Sequence, residues 1–464
     1  MSELIPGRPA RESTGVRHTS SVLRRIWFPI ALVVVVIVAL FAFGPLGAAT
    51  RPPSRMSELV PPAALLASPL PSDATATEQL IAVQYTNVSR YPETVPAYIL
   101  LGYAYLQLVR ESGDPTHYER AEAAFEEALR RAPENDEAII GKGFLALARH
   151  DFRAGLELGQ RAVALSPQKA RAYGVVVDGQ TELGLYEEAI TSAQTMVDLR
   201  PDLASYSRVS YQRELHGQLD GAIDAMADAL RAGTDNPENT EYIRYLIGNL
   251  HFLKGDLDTA EATYRASLAL YPDYVWAVTG LARVQAARGE LEPAITAYQG
   301  VVDRIPLPEF VITLGEMQEA AGRMEDAAET YSLVRAIEQL FAANGVATDL
   351  DLALFEADHG TDPAAAVDKA QRAYDAQPNI KAADALAWSL YRSGRFDEAR
   401  ARAEEALRLG TPYGLWHYHA GMIAKAQGDT VAARAYLSEA LAGDRYFSPL
   451  YAPQAAAALA ELGG

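Results

Sequence analysis

YLIGNLHFLKGDLDTAEATYRASLALYP, residues 245–272, is followed closely by WAVTGLARVQAARGELEPAITAYQGVVDRIP, residues 276–306. The two stretches share one plan. A glycine stands five residues before a small residue, Gly255 before Ala260 and Gly289 before Ala294. A tyrosine follows that small residue by four positions, Tyr264 and Tyr298, and a proline follows it by twelve, Pro272 and Pro306. Working outward, the same plan is found at Ala121, Gly155, Ala189, Ala222, Ala327, Ala366, Ala399 and Ala433, with successive spacings of 34, 34, 33, 38, 34, 33, 39, 33 and 34 across all ten anchors. A period near 34 is that of a unit of two antiparallel helices stacked into a solenoid.

The shared residues have physical reasons. Gly184, Gly217, Gly255, Gly289, Gly322, Gly394 and Gly428 sit where a left-handed turn is needed between two helices, and glycine takes positive φ without steric cost. Pro133, Pro167, Pro201, Pro272, Pro306 and Pro378 sit where the second helix must stop. Gly143, Gly248, Gly315 and Gly421 lie on first helices and let the axes approach, while Phe125, Tyr264, Tyr298 and Tyr331 fill the space between units. Departures from the plan predict longer connections around Gly113–Pro115, around Asn236-Pro237 and over Asn344–Asp349. Residues 78–90 and 453–462 read as capping helices that hide the terminal apolar faces. Each unit is expected to contact mainly its neighbours, giving an elongated superhelix.

The pattern resembles the tetratricopeptide repeat family, carried by the two stretches above and by ALAWSLYRSGRFDEARARAEEALRLG at 385–410. It is similar more particularly to a group of bacterial exported or membrane-anchored proteins of that family, through YLQLVRESGDPTHYERAE, VDLRPDLASYSRVSYQRELHGQLDGAIDAM and LVRAIEQLFAANGVATDLDLALFEADHG. The resemblance implies an all-α fold, a right-handed superhelical solenoid of about ten helix-turn-helix units over residues 78–464. It also implies that first helices line a concave groove, with positions fifteen, eleven and eight before each anchor facing inward. Carried onto this chain, those positions give the candidate groove residues Phe144, Asp178, Tyr211, Tyr245, Asn249, Phe252, Arg283, Glu316, Trp388, Tyr391, Tyr418 and Lys425. The Lys/Asn clamp that some relatives use for terminal carboxylates is not visible, since Asn249 is preceded four residues earlier by Tyr245.

Ahead of the repeats, residues 26–49 contain no charge and centre on IALVVVVIVALFAF. Twenty-four residues at about 1.5 Å each reach across a bilayer core. Arg17, Arg24 and Arg25 precede this stretch and favour a cytoplasmic N-terminus, so residues 1–25 read as a basic tail, 26–49 as one transmembrane helix, and the rest as extracytoplasmic. The alternative is a signal peptide cleaved near GAAT at 47–50, with a secreted product. Residues 50–77 hold six prolines and read as a spacer.

Composition narrows the function. The chain has 464 residues, 49% of them hydrophobic, which allows a sizeable core and excludes wholesale disorder. No cysteine is present, which removes disulfides, thiol catalysis and Cys-bound zinc. The first 25 residues carry five arginines against two acids, and the remainder carries 36 basic against 58 acidic side chains, a net charge of −22 that repels nucleic-acid phosphates. No phosphate-binding loop and no GxSxG motif appear. His417 and His419 are two apart on a helix, point away from each other and read as ordinary repeat positions, while Asp349, Asp351, Glu356 and Asp358 lack calcium-loop spacing and read as a solvated or helix-capping face, so no metal site is assigned. No catalytic residue, cofactor or small-molecule substrate is expected. The expected function is a membrane-tethered, extracytoplasmic scaffold binding a protein or peptide in the groove. The alternative is a chaperone-like accessory or maturation factor for an exported enzyme; a repeat-fold enzyme is disfavoured because no stretch outside the repeats is long enough for a catalytic domain.

Overall fold

The structure, a computed structural model, describes residues 74–463 apart from Thr234 and Asp235. The described part is entirely helical. A first helix, α1 (Ala76–Arg90), precedes ten pairs. These are α2 and α3 (Val95–Ser112, His117–Arg131), α4 and α5 (Asp136–Ala148, Phe152–Leu165), α6 and α7 (Ala170–Glu182, Tyr186–Leu199), α8 and α9 (Leu203–Leu215, Leu219–Ala232), and α10 and α11 (Pro237–Leu253, Leu257–Leu270). They continue with α12 and α13 (Val275–Ala287, Leu291–Val302), α14 and α15 (Pro308–Ala320, Met324–Ala343), α16 and α17 (Asp349–His359, Pro363–Ala376), α18 and α19 (Ile380–Arg392, Phe396–Ala406), and α20 and α21 (Gly414–Ala426, Thr430–Ala442). A last helix, α22 (Tyr451–Glu461), closes the stack. The pairs are numbered below as units 1 to 10.

The local rules act as the residues suggest. The seven turn glycines have φ between 71° and 85°. In unit 2 the same turn is made by His150 at φ 62°, a conformation rare outside glycine. Where Gly255-Asp256 and Gly428-Asp429 follow one another, the glycine turns the chain and the aspartate caps the next helix, Asp256 accepting from the Thr259 amide at 3.2 Å and Asp429 from the Ala432 amide at 3.1 Å. The anchors Ala121, Ala189, Ala222, Ala260, Ala294, Ala366, Ala399 and Ala433 are fully buried. The Tyr264 ring is wedged between Gly248 of its own unit and Gly280 of the next, where any Cβ would collide with it. Phe125 occupies the same wedge between Gly102 and Gly141.

Extra length went into helices more than into connections. In unit 1, α2 runs for 18 residues and the turn is short. In unit 5, α10 begins on Pro237 itself and runs for 17 residues, and in unit 7, α15 extends to 20 before the connection at 344–348. Helix propagation adds a hydrogen bond per residue, whereas loop residues add none, so a non-breaking insertion is absorbed as helix.

The expectation that each unit contacts mainly its neighbours holds for the helices, with one addition. Helix-on-helix packing is indeed between helices adjacent or next but one along the chain. Yet the inter-helix turns of units 1 to 5 meet the connections that follow units 6 to 10, in order. Gly113 abuts Ile305. His150 Nδ1 lies 2.6 Å from the Ala347 carbonyl, and the Ala347 amide donates to the Arg149 carbonyl at 3.1 Å. Asn379 donates to the Glu182 carbonyl at 2.9 Å, and the Ile380 amide donates to the Tyr186 hydroxyl at 3.0 Å. Thr411 donates to the Leu215 carbonyl at 2.5 Å, and Tyr413 to Glu214 at 2.6 Å. Gly255 faces the Gly443 carbonyl. The hydrogen-bonded rungs join residues 194 to 199 apart, so one superhelical turn rests on the next along a continuous seam.

Residues 1–73 lie outside the described residues, and with them the basic tail, the apolar stretch 26–49 and nearly all of the spacer. Among the described residues no helix is long and apolar enough to cross a membrane.

Candidate functional site

The inward faces of α10, α12 and α14, from units 5 to 7, form one wall of a cavity of about 1060 Å³. The opposite wall is the connection between α21 and α22, residues 443–450, with the start of α22. The repeat register explains the first wall. Tyr245, Asn249 and Phe252 occupy the three expected inward positions of α10, and Arg283 and Glu316 the middle position of α12 and α14. The structure brings these five together.

Aromatic side chains missing from the expected set complete the wall. Tyr242, Trp276 and Phe310 line it from the N-terminal halves of the same helices. Trp276 packs edge-on against Phe310 at 4.9 Å between ring centroids and touches Tyr245 at 5.5 Å and Tyr242 at 5.7 Å. The signal was available: Tyr242 and Trp276 both stand eighteen residues before their anchors, Ala260 and Ala294. Tyr242, Tyr245 and Trp276 keep part of their surface open to solvent. They form a stripe crossing units 5 and 6.

Arg283 is the cation of this wall. Its guanidinium lies 4.4 Å from the Phe252 ring centroid and donates a long hydrogen bond, 3.4 Å, to the Asn249 side-chain oxygen. That oxygen also accepts from the Tyr264 hydroxyl at 2.7 Å. Among the described residues no carboxylate comes within 4.0 Å of Arg283. Asp444 is near enough to feel its charge, but spends its hydrogen bond on the Gly414 amide at 3.2 Å. Burial pushes the Asp444 carboxyl up to about 7 against the opposing pull of Arg283. Glu316 is raised further, to about 8, first by burial and then by the negative charges of Asp358 and Glu319, while a hydrogen bond from Ser448 at 3.3 Å opposes the rise. Burial thus favours the protonated form of Glu316 on the cavity wall.

The other expected groove residues are elsewhere. Phe144 lines a second hollow of about 920 Å³ with Leu80, Leu100, Tyr103 and Tyr118, bounded on its far side by Pro237 and Glu238. Asp178 is clamped by Arg208, with contacts of 2.8 and 2.5 Å between first helices of adjacent units. Tyr211 is covered by Lys381 from the next superhelical turn, at 5.3 Å. Trp388, Tyr391, Tyr418 and Lys425 are consumed by the C-terminal cap and by each other. Trp388 is only 2% exposed, stacks on His419 at 4.1 Å and donates to Asp358 at 2.7 Å. Tyr391 stacks on Trp388 at 4.7 Å, Tyr418 packs on Tyr451 and Phe447, and Lys425 pairs with Glu461 at 2.5 Å. The expectation of Trp388 as an open groove residue is thus corrected: it is buried among Asp358, Tyr391, Tyr418 and His419, while α22 covers Tyr418 and Lys425 of unit 10. Phe252 is also 2% exposed and offers the cavity only an edge.

His419 is taken up in packing, and three of the four acids are engaged by other side chains instead of forming a solvated face. His419 is buried with its Nδ1 3.0 Å from both oxygens of Asp384. Asp349 pairs with Arg372, Glu356 approaches Arg335 at 3.8 Å, and Asp358 receives Trp388. Among the described residues no group of three or more potential ligands is arranged to hold a metal ion.

Comparison with known proteins agrees with this architecture. Family models described as tetratricopeptide repeat match residues 116–170, 216–275 and 385–446, and a second such model matches 251–310. Cellulose synthase 1 operon protein C of Komagataeibacter xylinus is 25% identical over 219 residues, covering 47% of this chain and 14% of that protein. The CTR9 homolog of Arabidopsis thaliana is 23% identical over 184 residues, covering 38% of this chain and 17% of that protein. The chain therefore matches less than a fifth of the length of either relative. Among solved structures, a human IFIT1 dimer with PPP-AAAA is similar at a TM-score of 0.44 and 14% identity, over 79% of this chain and 86% of that one. MamA is similar at a TM-score of 0.29 and 17% identity, over 37% of this chain and 92% of that one. Likenesses at this level say nothing about ligand or partner.

Proposed function

We propose, for a chain that belongs to the tetratricopeptide repeat family, a scaffold that holds a protein partner in the cavity between units 5 to 7 and the connection after α21. The observation that carries this reading is the partly exposed stripe Tyr242, Tyr245 and Trp276 beside Arg283, whose charge has no carboxylate partner among the described residues. Aromatic and arginine side chains at the centre of a sheltered patch are the usual energetic anchors of protein interfaces. The partner segment that fits carries apolar or aromatic side chains for the stripe and one carboxylate for Arg283. Peptide recognition of this kind needs no bond-making chemistry, and the scaffold acts by holding.

The apolar stretch 26–49 behind Arg17, Arg24 and Arg25 supports placing the scaffold outside the cytoplasm on a single-pass anchor. Protease added to intact spheroplasts then digests the repeats; protected repeats reverse the topology, and a mature N-terminus near Thr50 selects a cleaved signal instead.

Site-specific photo-crosslinking tests the binding surface. A photoreactive residue replacing Thr313, on the cavity wall, should capture a discrete protein, whereas one at Val431, 81% exposed on α21, should not. Arg283→Ala should reduce that capture about tenfold or more. Equal capture from both positions, or capture indifferent to Arg283, removes the cavity from the reading.

A further inference from the structure

We propose that the seam between successive superhelical turns is a latch, which parts while the helix pairs stay folded and so widens the concave cavity. Three observations carry this. The seam is built mainly from turns, connections and helix ends, whereas extensive helix-on-helix packing runs between adjacent and next-adjacent helices. Its hydrogen bonds run largely to backbone carbonyls, as from Thr411 to Leu215 and from Asn379 to Glu182, and water can replace such a bond for a small net change. Its apolar content is limited to a cluster in the middle around Tyr186, Leu215, Ile380 and Trp416, to Ile305 and Leu307 against Gly113 at rung 1, and to Tyr446 against Phe252 at rung 5, while at rung 2 the turns meet through backbone and polar groups.

The cavity spans that seam. One wall belongs to units 5 to 7, and the other, Asp444 to Pro449, follows unit 10. The fifth rung, Gly255 on the Gly443 carbonyl, lies where those two walls come together. Parting the rungs therefore moves Tyr446 and Ser448 away from Phe252 and Glu316, which they now face at 6.3 Å between ring centroids and 3.3 Å between oxygens. No helix pair has to separate, because a solenoid changes pitch by small rotations shared among many units. Local openings of this kind lie well below the free energy of global unfolding. The latch bears on the scaffold reading only through the surface it uncovers.

Two measurements on the full chain test opening without any partner. The protein lacks cysteine, so a single introduced thiol reports its own site. Thr411→Cys places it in the seam and Ser267→Cys places it inside the α10–α12 stack; both positions are fully buried. Reaction with 5,5′-dithiobis(2-nitrobenzoate) under native conditions should be at least tenfold faster at 411, with a shallower dependence on urea. Because Thr411→Cys itself removes a seam hydrogen bond, amide hydrogen exchange of the unsubstituted chain is the second measurement. The Ala347 and Ile380 amides, which donate across the seam, should exchange through an opening insensitive to low urea, unlike amides in the middle of α12. If seam and stack exchange at one rate with one urea dependence in both measurements, the turns part only on unfolding and there is no latch. That result would leave partner capture at the cavity untouched, and loss of capture would leave a fast seam untouched.

Discussion

Gly217 and Gly394 look interchangeable in the sequence, each five residues before its anchor, with φ of 71° and 80°. Their surroundings differ. A Cβ on Gly217 would lie 2.7 Å from the Gly410 carbonyl of the next superhelical turn, whereas one on Gly394 would meet nothing within 4 Å. Gly394→Ala should therefore cost about 1 kcal/mol, the strain of a side chain at positive φ. Gly217→Ala should cost at least about 1 kcal/mol more, since a rung must move as well. Urea unfolding of the two variants measures the difference, and equal midpoints would mean that the seam yields freely at this rung. The same blindness to neighbours explains Trp388. Its repeat register is that of a groove residue, but Asp358 of the preceding unit and Tyr418 and His419 of the following one enclose it. Register fixes which way a side chain points from its helix; what stands opposite depends on the rest of the chain.

The connection between α21 and α22 is the element that completes the cavity, and it brings two carboxyls into poorly solvated places. Glu316 and Asp444 are raised to about 8 and about 7. A raised carboxyl binds more protons when folded than when unfolded, so its stabilising contribution is complete below the ordinary carboxylate range and is lost as pH rises through the folded value. The protein should therefore lose stability between pH 5 and 9. Each pKa unit is worth about 1.4 kcal/mol before allowance for solvent reaching these groups, so a loss of roughly 1–3 kcal/mol is expected. Glu316→Gln, which keeps the shape without the charge, should flatten the decline and stabilise the protein at pH 9. Melting temperatures across that range decide it; a Glu316→Gln curve parallel to that of the unsubstituted chain would show that Glu316 is well solvated when folded. Nothing in GDRYFSPL, residues 443–450, marks it as a cavity wall, because it lies outside the repeat plan and the residues it faces across the cavity, Phe252 and Glu316, are more than a hundred positions away.

At the scale of the whole repeat array, the seam divides the inter-helix turns into two classes. Those of units 1 to 5 rest on the next superhelical turn. Gly289, Gly322, Gly394 and Gly428, the corresponding glycines of units 6, 7, 9 and 10, have no neighbour within 4 Å of a notional Cβ. Proteases cleave where backbone is exposed and free to open. Brief digestion with subtilisin should therefore nick the chain near 289, 322, 394 and 428 before it nicks near 184 and 217, as mass spectrometry of the fragments will show. First cuts at 184 and 217 would place the resting seam open in solution. The same array explains why a chain of strictly local units can have a cavity at all: each unit turns slightly from the last, and after about five the chain meets itself.

The spacing of small residues, glycines and prolines by itself determined the number of units, the turn geometry, the wedge of Tyr264 between first helices, and the inward register of Tyr245, Asn249, Phe252, Arg283 and Glu316. These follow from interactions within about forty residues, which a period of 34 encodes directly. Tertiary structure alone decided which inward positions remain open. The small rotation between successive units, set by the packing of every pair, accumulates until turns 194 to 199 residues apart coincide, and no local pattern records that sum. It is this accumulated rotation that sets Lys381 over Tyr211 and Gly217 against Gly410, and leaves Tyr242, Tyr245, Trp276 and Arg283 facing a cavity.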